Sequence, residues 1–214
     1  MIMAYIDGKD GDLVDSAIHR IIWRKLGEYA RKFNRINVKG FGDKMISDGV
    51  FASSWHDFVN YNITSLTADD QMTHKGIISV EESRRLKSLF ERLREKNFNF
   101  GLIHHDLSLK NTRVSDDGNV YLIDWGSAQV NVVPHMDIAE ILHSSLSETS
   151  EEFGLFLDGY GMTLNSYQHI KDEIKQLDLL RRTDKVRWAI DKRPDLLEQK
   201  VKGFREAFKV VFGE

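Results

Sequence analysis

Residues 101–130 read GLIHHDLSLKNTRVSDDGNVYLIDWGSAQV. Within them His104, Asp106 and Asn111 stand in the order H-x-D-L-x-x-x-N, and Asp124 follows in I-D-W-G. Magnesium prefers hard oxygen ligands and usually takes one or two from the protein, leaving the rest to water and phosphate. A carboxamide and a carboxylate such as Asn111 and Asp124 suit that need. Transfer of a γ-phosphoryl group also needs an Asp at the incoming hydroxyl, and the spacing here matches the H-R-D-L-x-x-x-N and D-F-G pair of kinases. Asp and Asn are common in turns, so each residue singly carries little. The ordered set carries the reading.

These residues need elements to position them. "NTRVSDDGNVYLIDW" alternates about Asp117-Gly118, the composition of a tight hairpin that would carry Asp124 back towards Asn111. Elsewhere helical spacing dominates. From Asp15 to about Phe33 the apolar positions Ile18, Ile21, Ile22, Leu26, Tyr29 and Phe33 predict an amphipathic helix. "NVKGFGDKMISDGVFASSW" reads as loop, and "SWHDFVNYNI" begins a second helix. Ser79 with Glu82 forms a capping box ahead of a helix that buries Leu86, Leu89, Phe90 and Leu93 and stops near Asn97. After Pro134, four further helical stretches follow, "HMDIAEILHSSL", "SEEFGLFLDGYG", "NSYQHIKDEIKQLDLLRR" and "PDLLEQKVKGFREAFKVVF". The expected fold is α+β and mainly helical, with one hairpin.

The 214 residues suffice for one large domain or a two-lobed one. Lys plus Arg, 30, against Asp plus Glu, 33, leaves a net charge of -3 and no basic stripe for nucleic acid. Cysteine is absent, which removes disulfide and thiol chemistry and fits a reducing compartment. No apolar run reaches bilayer length, and "MIMAYIDGKDGD" turns acidic too early for a signal peptide, so a cytoplasmic protein without a membrane partner is expected.

The segment resembles the aminoglycoside phosphotransferase and choline kinase-like superfamily, whose usual form is H-G-D-L-x-x-x-N followed by I-D-W. The resemblance implies an ATP- and magnesium-dependent phosphotransferase acting on a small-molecule hydroxyl. It makes Asp106 the catalytic base or hydroxyl-orienting group, Asn111 and Asp124 the magnesium ligands, and His104 a structural residue holding the loop. Asp137 in "PHMDIAEIL" matches the family's D-L-A helix start and would brace the loop. "MIMAYIDG", residues 1–8, looks like the hinge strand, where backbone groups near Ala4 and Ile6 would meet adenine. "GFG" with "SSWHDFV" resembles the helical insert, and the likeness weakens beyond Gly161. Only twelve residues separate Asp124 from Asp137 and no A-P-E follows, which leaves no activation segment for a peptide substrate.

That family also needs a small lobe before the hinge, with a phosphate-covering loop and a strand Lys. "GFGDKM" lacks the third Gly and does not replace it. Residues 9–214 are therefore expected to be a C-terminal catalytic and substrate lobe, with the N-terminal nucleotide lobe absent and the exposed lobe face driving self-association. A catalytically inactive kinase-like binding or interaction module is the alternative. His104, His105, His135 and His143 invite a transition-metal site, and Ser54, His56 and Asp57 a triad. Adjacent histidines do not share a direction, and triad members meet through the fold rather than as neighbours. Trp125, Tyr160, Tyr167 and Trp188 are expected in the core, and Asp158, Asp172, Glu173 and Asp178 on a solvated helix face.

Overall fold

The computed structural model describes residues 6–213. In chain order the elements are β1 (Lys9–Asp10), α1 (Ser16–Phe33), β2 (Phe41–Ser47), β3 (Val50–Ser53), α2 (Trp55–Thr64), α3 (Gln71–His74), α4 (Val80–Arg94) and β4 (Phe100–Ile103). They continue with β5 (Thr112–Val114), β6 (Val120–Leu122), β7 (Gln129–Val132), α5 (His135–Ser144), α6 (Glu151–Tyr160), α7 (Leu164–Lys192) and α8 (Leu197–Phe212). The chain divides into two compact units, Met1–Ala52 with Asn99–Ile170, and Ser53–Phe98 with Lys171–Glu214.

The first unit holds both sheets. β5 and β6 form the predicted hairpin in the register Thr112↔Leu122, Arg113↔Tyr121 and Val114↔Val120. Its turn closes where the Gly118 amide donates to the Ser115 carbonyl at 2.8 Å, with Gly118 at φ 82. β1 joins this hairpin as a third strand, and β3-β2-β7-β4 makes a second sheet. Helix α1 packs on α6 at very short range. A Cβ on Gly27 would lie 2.1 Å from the Phe156 carbonyl oxygen, and one on Gly159 would lie 2.0 Å from that of Arg24. Each helix thus presents a glycine to the other's backbone. Gly27→Ala gains helix propensity worth up to ~1 kcal/mol. It also forces two backbones apart, for which overpacking costs of about 1–3 kcal/mol are the guide. The clash should win, because backbone cannot rotate away. A lowered urea midpoint is expected, and a midpoint at or above the parent's would contradict the close crossing.

The second unit is helical. Ser79 caps α4 as predicted: its hydroxyl accepts from the Glu82 amide at 3.1 Å, and the Glu82 carboxylate accepts from the Ser79 amide at 2.6 Å. Leu86, Leu89, Phe90 and Leu93 are all buried. Ser54 similarly caps α2 through the Asp57 amide, so the Ser54, His56 and Asp57 run is a helix start. A buried ion pair joins Asp70 Oδ2 to Arg187 Nη2 at 2.8 Å.

Three expectations need correction. Residues 37–55 are not all loop, since β2 and β3 form a second hairpin there. The single expected hairpin is accordingly one part of two separate sheets. Finally, the buried face of α1 runs through Ile22, Trp23, Leu26, Gly27, Ala30 and Phe33, while Ile21 is 54% exposed. Small residues, Gly27 and Ala30, share the buried face with the larger apolar ones.

Candidate active site

β4 delivers the chain into the His104–Asp106 loop, and β5 and β6 deliver Asn111 and Asp124. The hairpin register extends one step beyond its last pair: the Ile123 amide donates to the Asn111 carbonyl at 2.9 Å. Asn111 therefore lies opposite Ile123, next to Asp124. The Asn111 side chain is buried, and its Nδ2 donates to the Asp106 backbone carbonyl at 2.8 Å. One carboxamide thus ties the loop bearing Asp106 to the hairpin bearing Asp124.

His104 works from behind. It is buried, and its Nε2 lies 2.9 Å from the Ile123 carbonyl, an acceptor, so Nε2 carries the proton in this bond. Burial holds the imidazole below its ordinary pKa, against the raising influence of the Ile123 carbonyl and of Asp106 and Asp124. Its ring meets Trp125 edge-on at 4.8 Å, and Phe33 meets the same indole at 5.3 Å. Asp124 sits between these supports in a left-handed conformation, φ 59 and ψ 66. A non-glycine residue there is uncommon and local structure must hold it. One Asp124 oxygen accepts a long bond from the Gly126 amide at 3.4 Å, and the carboxylate is otherwise open to solvent.

Asp137 is reached by two residues that no motif announced, Asn34 directly and Tyr160 through it. Asn34 Nδ2 donates to the Leu102 carbonyl and to Asp137 Oδ2, both at 2.9 Å, while Tyr160 donates its hydroxyl proton to Asn34 Oδ1 at 2.9 Å. These bonds fix which way the carboxamide points. Asp137 is buried, and burial pushes its carboxyl up to about 7, opposed in part by Asn34 and the His104 backbone amide. Burial likewise raises the Tyr160 hydroxyl to about 12, with Asp137 adding to the effect.

Residues 1–185 match the sequence profile described as the phosphotransferase enzyme family. The chain belongs to that family. No curated protein matches the sequence. Among solved structures, the choline kinase LicA from Streptococcus pneumoniae is 18% identical with a TM-score of 0.53, the match covering 94% of this chain and 67% of LicA. The GDP and kanamycin complex of APH(2")-IIia is 13% identical with a TM-score of 0.65, covering 97% and 70%. Spectinomycin phosphotransferase APH(9)-Ia, in complex with ADP and spectinomycin, is 19% identical with a TM-score of 0.52, covering 97% and 69%. At such identities the likeness is one of fold, and the α+β, mainly helical phosphotransferase fold is the observed one. The chain spans about two thirds of the length of these proteins, 65% for LicA in its AMP complex.

Within this phosphotransferase family member the expected residues fall as follows. His104, Asp106, Asn111, Asp124 and Asp137 lie in one connected cluster, joined by the bonds above. Ile6 lines an apolar groove of about 470 Å³ with Leu122 and Trp125, on the flank of Asp124. Ala4 lies outside the described residues. Trp125 was expected in the core but is 42% exposed, and Trp188 is 39% exposed; Tyr167 is buried as expected and Tyr160 half-buried. Asp178 is not solvated either, since Arg181 and Arg182 pair with it at 2.8 and 2.6 Å. Among the described residues no three His, Cys, Asp or Glu gather for a metal, so the four-histidine site does not form. No described helix is long and apolar enough to cross a membrane. Sequence reasoning missed Asn34 and Tyr160, which have no motif, and Lys110, whose Nζ lies 3.6 Å from Asp106 Oδ2.

Proposed function

We propose that this chain carries the catalytic face of a small-molecule kinase that transfers the γ-phosphoryl group of ATP to a substrate hydroxyl. The observation that supports this most is the hairpin register, which sets Asn111 beside Asp124 while the Asn111 amide fixes the backbone of Asp106. The donor set fits magnesium: an open carboxylate and an amide oxygen are hard ligands, too few for a closed protein cage and suited to a site completed by phosphate and water. When bound there, magnesium neutralises charge on the transferring phosphate.

The chain's own residues do the rest. The half-exposed Asp106 accepts a hydrogen bond from the acceptor hydroxyl and takes its proton as the oxygen attacks. Asn111 and Asp124 hold the metal face, and His104 keeps the Ile123–Asp124 backbone in place from the buried side. Asn34 and Asp137 brace the approach to the loop. Ile6, on the groove beside Asp124, borders the nucleotide.

Calorimetric titration with magnesium and ATP, repeated with GTP, tests the reading on the intact chain and on Asp124→Ala. Nucleotide binding should weaken at least ~10-fold in the variant, as expected for loss of a charged ligand worth ~1.4 kcal/mol or more. Equal binding by both proteins would remove Asp124 as a metal ligand. No magnesium-dependent binding by the intact chain would overturn the kinase reading of this chain.

A further inference from the structure

A cleft of about 490 Å³ opens beside the catalytic loop, lined in part by His19, Trp23, Ser108, Lys110, Leu146 and Glu152. That volume lies in the usual ~300–1,000 Å³ range of small-molecule sites. Ser108 follows Asp106 by two residues, and the Lys110 ammonium, on the same wall, lies 3.6 Å from the Asp106 carboxylate. An acceptor held here lies along the segment that carries the proposed base.

Two polar groups of this wall are unusual. Ser108 is 9% exposed and its Oγ has no hydrogen-bond partner, and the buried His19 Nε2 has none either. Unpartnered polar atoms shielded from water are costly, and native structures rarely leave them so without a reason. From this we infer that the cleft binds an uncharged polyhydroxy acceptor, a sugar or cyclitol, which deepens the phosphoryl-transfer reading and rests on it.

A ligand hydroxyl both donates and accepts, so it satisfies a serine hydroxyl in either role and an imidazole nitrogen in either tautomer. Both residues line the cleft, so a ligand seated there lies against the side chains that carry these unpartnered atoms. An ammonium only donates, and here it would meet the ammonium of Lys110. The lining holds one carboxylate, Glu152, and one ammonium, Lys110, so it has no cluster of carboxylates of the kind a polycation requires. Trp23 and Leu146 give apolar surface suited to the C–H face of a sugar ring.

The test is direct binding to the whole chain without nucleotide, followed by calorimetry and Trp fluorescence. The probes are glucose, sorbitol and myo-inositol as neutral polyols, kanamycin as polycation and choline as monocation. At least one neutral probe should bind with a millimolar Kd, more tightly than kanamycin or choline. Leu146→Trp, which fills the cleft, should weaken that binding ~10-fold or more, and Ser108→Ala several-fold. Lys110→Glu should shift preference towards kanamycin by ~10-fold. Thermal unfolding of each variant shows that it is folded, and three variants at separate positions keep the test independent of any one. Tighter binding of kanamycin or choline by the intact chain, absence of neutral-probe binding, or binding indifferent to Leu146→Trp each overturns the assignment. Loss of this result with magnesium-dependent nucleotide binding intact sinks only the acceptor class. Polyol binding without any nucleotide response sinks only the kinase reading.

Discussion

Asp106→Ala should lower phosphoryl transfer by ~10²–10⁴-fold, the usual contribution of a positioned general base, while leaving magnesium–nucleotide affinity within about twofold. The two halves of this expectation have separate structural causes. What holds the loop at this position is the Asp106 backbone carbonyl, which accepts from Asn111 Nδ2, and that bond survives truncation of the side chain. The Asp106 side chain is 38% exposed and makes a loose, partly exposed ion pair with Lys110 at 3.6 Å, an interaction worth little to stability. Removal should therefore cost chemistry and not structure. Asn111→Ala is the instructive contrast, because it deletes a proposed metal ligand and the tie to Asp106 together, and both rate and nucleotide affinity should fall. Slow phosphoryl transfer to water gives a readout before any acceptor is known, measured by phosphate release beside the calorimetric titration. An Asp106→Ala protein as active as its parent would remove Asp106 from the reaction; one that no longer binds nucleotide would make it a structural or metal-site residue instead.

The parts of the site that were legible in the sequence are those built by local chain. H-x-D-L-x-x-x-N and I-D-W-G are joined by a hairpin whose Asp117-Gly118 turn and alternating strands announce themselves, and the observed register follows. The second hairpin carries an Asp48-Gly49 turn of the same kind, with Gly49 at φ 66. It went unread because only Phe41 and Phe51 are buried along β2 and β3, so the period-2 burial that marks a strand is missing. Helix α1 was legible in extent but not in facing. Its close approach to α6 is made at Gly27, and hydrophobic periodicity gives a glycine no weight. The brace of Asn34, Asp137 and Tyr160 joins residues up to 126 positions apart through single side-chain bonds, a relation only the fold can reveal. Lys110 differs: its i,i+4 spacing from Asp106 was visible, but a catalytic loop is not a helix, and the spacing had no geometric meaning until the turn at Leu109–Asn111 supplied it.

That brace also gives the protein a specific dependence on pH. Asp137 titrates near its usual value in the unfolded chain and at about 7 in the native one, where burial disfavours the charged form. The native state then binds the extra proton, so this group's contribution to stability is fully present below the unfolded pKa. It is lost as pH rises through about 7. The difference between the two states corresponds to about 4 kcal/mol in all, of which roughly 2–3 kcal/mol should be lost between pH 5 and pH 8. Asp137→Asn keeps the shape and an oxygen for Asn34 Nδ2 but cannot ionise. Urea unfolding of both proteins at the two pH values isolates the group, because every other titration is common to both. The parent should lose about 2–3 kcal/mol more than the variant on going from pH 5 to pH 8. Equal losses would mean that Asp137 is ionised throughout, held by its bonds to Asn34 and the loop more strongly than burial opposes it. The brace would then be an ion–dipole contact at all working pH values. With the expected slope, the loop is instead supported by a carboxyl that exchanges its proton near neutrality, and at pH 8 the Asn34 amide stabilises a full negative charge beside the His104 backbone.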